Sequence, residues 1–220
     1  MFRVVRSVQR NGPSMMKSIL LASSMLALLC LSGCKLVKTE SADQASADPI
    51  AELVAESFDA KLVPALTGKA VDFTTLRDAL ASGLDGAGSR FGLKVGGAGG
   101  GWNFVVKGQA MVVAENRASK AAVAEIDMDG DGKADATLQL GPVVKGTALR
   151  DATALFDFST FRDQIEYARL GRALNDRAVS KLPSADVPLK GKSIQFLGAV
   201  VIRSVSEKPL ITPVSIEVVP

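Results

Sequence analysis

The spacing of apolar positions changes along this chain, and each change predicts an element. Ile19 to Leu31 is a largely apolar run behind Lys17, and Leu31-Ser32-Gly33-Cys34 closes it with small residues. Spanning about 30 Å of hydrocarbon takes roughly 20 residues, so a run this short predicts a removable secretory leader over residues 1–33. Met15 and Met16 offer a second start, which leaves residues 1–15 open to being an over-called start. Lys38 to Asp48 is small and polar without period, so residues 34–48 read as an attachment point and flexible tether. From Asp48-Pro49 the period becomes helical. Ile50, Leu53, Val54, Phe58 and Leu62 recur at three- and four-residue steps, with Asp48 placed to cap and Pro64 to stop the helix. A second helix is expected from Asp72, with Phe73, Leu76, Ala79 and Leu80 inward and Gly83 at its end. Residues 83–101 hold nine glycines and read as an irregular connection.

At Trp102 the period drops to two: Trp102, Phe104 and Val106 alternate, Gly108 suggests a bulge, and Ala110 to Val113 continues the strand. Strands are expected near 119–127 and 133–140, broken by Gly141-Pro142. A long helix over about 160–182 carries Phe161, Ile165, Ala168, Leu170 and Leu174 as its apolar stripe, with Pro183 beyond it. Ile194–Val201 is apolar on both faces, and Ile211–Val219 closes the sheet. The order predicts an α+β fold: an antiparallel sheet or small OB-like barrel over 102–220, with a helical annex over 49–101.

Composition narrows the chemistry. The whole chain carries a net charge of +3, but residues 1–33 hold Arg3, Arg6, Arg10 and Lys17 and no acids. The remaining 187 residues carry 22 basic and 23 acidic side chains, a net of −1, so the footprint of a nucleic-acid binder is missing. Both cysteines, Cys30 and Cys34, precede the body, and the chain has no histidine. Zinc sites built on Cys or His, and nucleophilic arrangements that depend on them, are thereby excluded from the body. Carboxylate, lysine or tyrosine chemistry and oxygen-ligated metals remain.

Three segments carry candidate chemistry. Leu31-Ser-Gly-Cys34 resembles the lipobox of bacterial lipoproteins, which implies cleavage between Gly33 and Cys34 and lipidation of Cys34. Lys35 after the anchor points, by the same resemblance, toward the outer membrane. Asp127-Met-Asp-Gly-Asp-Gly-Lys-Ala-Asp135 places Asp127, Asp129, Asp131 and Asp135 at the front positions of a calcium loop. Leu138 replaces the closing glutamate and strands replace the flanking helices, so the alternative is a plain polar hairpin turn. A calcium site here would be a weak one.

Gly141-Pro-Val-Val-Lys-Gly-Thr-Ala-Leu-Arg-Asp151, the Phe161-Arg-Asp-Gln-Ile-Glu-Tyr-Ala168 segment and Leu174-Asn175 concentrate the other unusual residues. With Cys34-Lys-Leu-Val, the glycine-rich approach to Trp102 and Ile211-Thr-Pro-Val214, they resemble the predicted periplasmic lipoproteins of domain of unknown function 2291 over nearly the whole mature chain. The resemblance implies accessory work beside ATP-driven sugar importers and their periplasmic binding proteins, and it supplies no catalytic residues. Arg150 could pair with Asp151 or face a ligand, and Gly146 and Thr147 could bring backbone N–H groups to a guest. Gln164, Tyr167 and Asn175 could share that pocket, and Trp102 could stack on a sugar or pack in the core. The expectation is a non-enzymatic binding or accessory lipoprotein, lipid-anchored on the periplasmic side and without an obligatory cofactor. A structural envelope lipoprotein and a carboxylate-dependent glycan enzyme are the alternatives.

Overall fold

Asp48 ends the tether as an N-cap, its carboxylate accepting the Ile50 N–H at 3.1 Å, with proline in the first turn of helix α1 (Pro49–Ser57). The computed structural model describes residues 48–95 and 100–219; the predicted leader, Gly33, Cys34 and the tether before Asp48 lie outside the described residues. Pro64 does not stop the first helix. The chain widens into a π-helical stretch, Phe58–Leu62, closed by the Val63 N–H donating to the Phe58 carbonyl just before Pro64, and continues as α2 (Val63–Lys69). Strand β1 (Val71–Asp72) leads to α3 (Phe73–Ala81), capped by Asp72 as expected.

The glycine-rich segment corrects the expected irregular connection, because it holds helix α4 (Leu84–Phe91) and strand β2 (Gly92–Lys94). A side chain at Gly88 would place its Cβ 2.2 Å from the Trp102 ring, so that glycine lets the helix lie against the indole.

Five long strands follow: β3 (Trp102–Asn116), β4 (Ala121–Asp127), β5 (Ala136–Pro142), β6 (Ser193–Ile202) and β7 (Leu210–Val219). β5 continues through Gly141-Pro142 rather than breaking there. Gly108 makes no bulge against β6, where it pairs with Phe196; the shift in β3 falls between Val112 and Ala114, against β4. Between β5 and β6 lie α5 (Ala148–Asp151), a 3-10 turn (Phe158–Thr160) and α6 (Gln164–Val179). The long helix starts later than expected because Asp163 caps it, accepting the Glu166 N–H, while Glu166 accepts the Arg162 N–H. Phe161 therefore precedes the helix.

Pairing runs β3-β4-β5-β7-β6 and returns from β6 to β3; every contact is antiparallel except the short β5–β7 pairing. The sheet is ring-like but not a closed barrel, since β5 and β7 share only Thr137↔Leu210 and Leu138↔Ile211. Its inside is filled by Phe104, Val106, Ile126, Leu138, Ile194 and Val200, with Phe73 and Leu76 of α3 in the same cluster. Val105, Ala199 and Val214 face a second core with Phe58, Leu62, Leu149, Leu170 and Leu174. Each such side chain contributes about 1.5–3 kcal/mol by leaving water. Cores on both faces explain why Ile194–Val201 of β6 is apolar on both faces. The helical region and the β-rich region belong to one unit, Ser46–Pro220. No helix among the described residues is long and apolar enough to cross a membrane.

Candidate functional site

The Gly141–Asp151 segment is fixed to the fold by buried amides. Gln139, a buried polar residue of β5, donates from Nε2 to the Lys145 carbonyl (3.1 Å) and to Thr212 Oγ1 (2.9 Å), and its Oε1 accepts the Lys145 N–H (2.8 Å). Asn175 of α6 donates from Nδ2 to the Gly146 carbonyl at 2.9 Å. The loop is thus held from the sheet and from the helix. Thr147 Oγ1 then donates to Asp151 at 2.6 Å, and Arg150 grips both oxygens of Asp151 through Nε (2.7 Å) and Nη2 (3.1 Å). Arg150 also donates to the Tyr167 carbonyl and lies 3.8 Å over the Tyr167 ring. Burial, opposed by that cation, raises the Tyr167 hydroxyl above its ordinary pKa. Arg150 therefore stands behind Asp151, joining α5 to α6.

A cleft of about 480 Å³ opens on the other side of Asp151, lined by Asn103, Lys145, Thr147, Arg203, Glu207 and Thr212 among others. Asn103 is 5% exposed, donates to the Leu93 carbonyl at 3.2 Å, and its Oδ1 has no hydrogen-bond partner among the described residues. An unmet acceptor costs about 1–3 kcal/mol when buried. Lys145 and Arg203 add cationic donors, and Asp151 and Glu207 add acceptors. A second cleft, of about 500 Å³, lies along the same loop and is lined by Val143, Val144, Gly146, Thr147, Arg172 and Asn175. Asn175 Oδ1 is likewise buried and unmatched among the described residues.

The structure separates residues that the sequence grouped. Gly146 and Thr147 line both clefts, Asp151 the first and Asn175 the second. Trp102 belongs to neither: its ring lies against α4 and its Nε1 donates to Asp85 at 3.0 Å. Gln164 is exposed at the start of α6, and Tyr167 uses its hydroxyl on the Phe156 carbonyl. Asn103, Gln139, Lys145, Arg203, Glu207 and Thr212 were not singled out from sequence. Asn103 could have been, because a polar residue inside a strand covered on both faces must be buried. Arg203 and Glu207 are far from the motif in the chain and reach it only through the β6–β7 connection.

The aspartate-rich segment forms a hairpin turn between β4 and β5. Asp127 accepts N–H groups from Asp129 (3.1 Å), Gly130 (2.7 Å) and Gly132 (2.8 Å), and Asp135 accepts the Met128 N–H (2.7 Å). Burial pulls the Asp127 pKa up, but these three donors outweigh it and hold the carboxyl below its usual value. Oxygens of Asp127, Asp129 and Asp135 lie within 4.8 Å of one another. Arg77 of α3 places its guanidinium between two of them, 2.9 Å from Asp129 and 3.1 Å from Asp135. Asp131 stands outside the cluster, paired with Lys133 at 3.1 Å. The cation beside these carboxylates is a side chain.

A family model described as "Predicted periplasmic lipoprotein (DUF2291)" matches residues 24–217. No curated protein matches the chain. Among solved structures, an OB-fold protein from Thermotoga maritima superposes with a TM-score of 0.61 at 13% identity, over 78% of this chain and 99% of that one. That likeness speaks to fold alone.

Proposed function

Because the chain belongs to the DUF2291 family of predicted periplasmic lipoproteins, we propose that it is a membrane-anchored binding or accessory protein of the bacterial envelope, without enzymatic activity, that serves carbohydrate uptake. The observation that carries the reading is the cleft beside Asp151, which Lys145, Arg203, Asp151 and Glu207 line with donors and acceptors of both charges and whose wall holds the buried, unmatched amide oxygen of Asn103. Lys145 and Arg203 against Asp151 and Glu207 leave the lining near neutral, which suits a neutral polyol whose hydroxyls both donate and accept. The loop is already held by Gln139 and Asn175, so a ligand meets a formed site and loses little affinity to ordering it. The absence of histidine and cysteine from the body, and the pairing of Asp151 with Arg150, support binding over catalysis. In this reading Cys34 carries the lipid, Lys35 directs the chain to the outer membrane, no cofactor is required, and the partners are an importer's binding protein or permease.

Titrating the purified protein with neutral pentoses and hexoses, and passing envelope extract over the immobilised protein, tests the reading. Saturable binding of a sugar, or retention of transporter components identified by mass spectrometry, supports it. Neither sugar nor transporter binding, with envelope-assembly factors retained instead, favours a structural lipoprotein. Turnover of a glycan that is lost with one carboxylate variant favours an enzyme.

A further inference from the structure

A third cleft, of about 610 Å³, opens between α3, the aspartate-rich hairpin and the connection from β6 to β7. That volume lies within the range of small-molecule sites. Of its lining, only Glu207 also faces the cleft beside Asp151. Phe73, Arg77 and Leu80 are spaced by four and three residues on α3, so one face of that helix turns toward the cleft. Phe73 and Ile202 belong to the core inside the sheet, and Leu80 packs against it, so the apolar wall of the cleft is the margin of that core. Val205, in the β6–β7 connection, adds an apolar side chain that is 59% exposed. The connection is tied by its own hydrogen bonds: the Glu207 N–H donates to the Ser204 carbonyl at 3.1 Å, and the Glu207 carboxylate accepts the Arg203 N–H at 3.3 Å.

The charges around this wall differ in what they have left to offer. Arg77 meets Asp129 and Asp135 through Nη1 alone, and its Nε and Nη2 have no hydrogen-bond partner among the described residues. Both oxygens of Asp135 are taken, one by Arg77 and the other by the Met128 N–H at 2.7 Å. Lys208 has a loose contact with Glu125, at 3.5 Å, on the exposed surface. The spare capacity beside the apolar wall is therefore mainly that of cationic donors.

We propose that this cleft binds a small amphiphilic carboxylate, an aromatic or branched-chain acid whose body lies on Phe73, Leu80, Ile202 and Val205 and whose carboxylate is taken by Arg77 and Lys208. The two aspartates hold the Arg77 guanidinium in place, so its free edge meets two carboxylate oxygens already oriented. A neutral sugar lacks the apolar body this wall requires, so the cleft differs in ligand class from the one beside Asp151.

Calorimetric titration of the purified protein with phenylpropionate tests the proposal, with phenylpropanol and phenylpropylamine as neutral and cationic probes of the same body. The expected result is saturable binding of the carboxylate, about tenfold tighter than the alcohol and tighter still than the amine. Arg77→Gln should weaken the carboxylate by about tenfold and leave the alcohol unchanged. Val205→Asp, at an exposed turn position where the fold has little at stake, should weaken both probes. Neither residue lines the cleft beside Asp151, so the result is independent of the carbohydrate reading. No binding of the carboxylate, equal binding of all three probes, or binding indifferent to both variants overturns the proposal. Self-association in place of carboxylate binding, abolished by Val205→Asp, also overturns it, by assigning the wall to a second copy.

Discussion

The Asp127 hairpin and the Thr147–Asp151 segment are built from the same parts, a cluster of carboxylates and one arginine, yet they end in different chemistry. In the hairpin the backbone fills Asp127 from three sides, and Arg77 closes Asp129 and Asp135 from a position 41% exposed. Around Asp151 the arginine stands largely buried behind the carboxylate, the loop is held by the Gln139 and Asn175 amides, and the wall of the adjoining cleft holds an Asn103 oxygen unmatched among the described residues. A cluster whose hydrogen bonds close on themselves shapes a turn. One that leaves an acceptor open in a wall can take a guest.

The largest effect should come from Arg150→Ala. Removing one partner of a buried pair leaves Asp151 uncompensated and unlinks α5 from α6, at a cost of about 3 kcal/mol read as a lower denaturant midpoint. Next is Gly171→Ala. Its Cβ would come 2.9 Å from Thr147 Cγ2 and 3.5 Å from an Arg150 nitrogen, so α6 must shift. A loss of about 1–3 kcal/mol is expected. By contrast, Arg77→Ala breaks pairs that water already screens, and its cost should stay below about 1 kcal/mol and shrink in salt. The same variant frees Asp129 and Asp135, so millimolar calcium should raise its melting temperature more than that of the parent.

The smallest effect is on pH dependence. Asp127 has a folded pKa below its unfolded value, so its stabilisation is present above the ordinary carboxylate range and lost as pH falls below about 4. Asp127→Asn should flatten the acid limb of a melting-temperature profile, whereas Asp151→Asn should lower stability by removing the ion pair with Arg150.

Legibility in the sequence followed the same division. Local signals were readable: the Asp48 and Asp72 caps, the alternation of β3, and the order of helices and strands that gave the α+β class and the OB-like alternative. Signals set by distant partners were not. Helix α4 hides in a glycine run because Gly88 fits an indole supplied by β3. Pro64 looked like a stop because a π-helical widening leaves no trace in periodicity. In the Gly146 to Asp151 motif Arg150 faces α6, and the unmatched Asn103 oxygen in the wall of the adjoining cleft comes from a strand about 45 residues earlier, beside side chains more than 50 residues later.

Calorimetric titration of the parent protein and of Asn103→Ala with neutral pentoses and hexoses tests the central claim most directly. The account predicts saturable heat with the parent and at least tenfold weaker binding in the variant, whose stability falls by only about 1 kcal/mol with the lost bond to Leu93. Sugar binding that is indifferent to Asn103→Ala, or no binding by the parent, would contradict it.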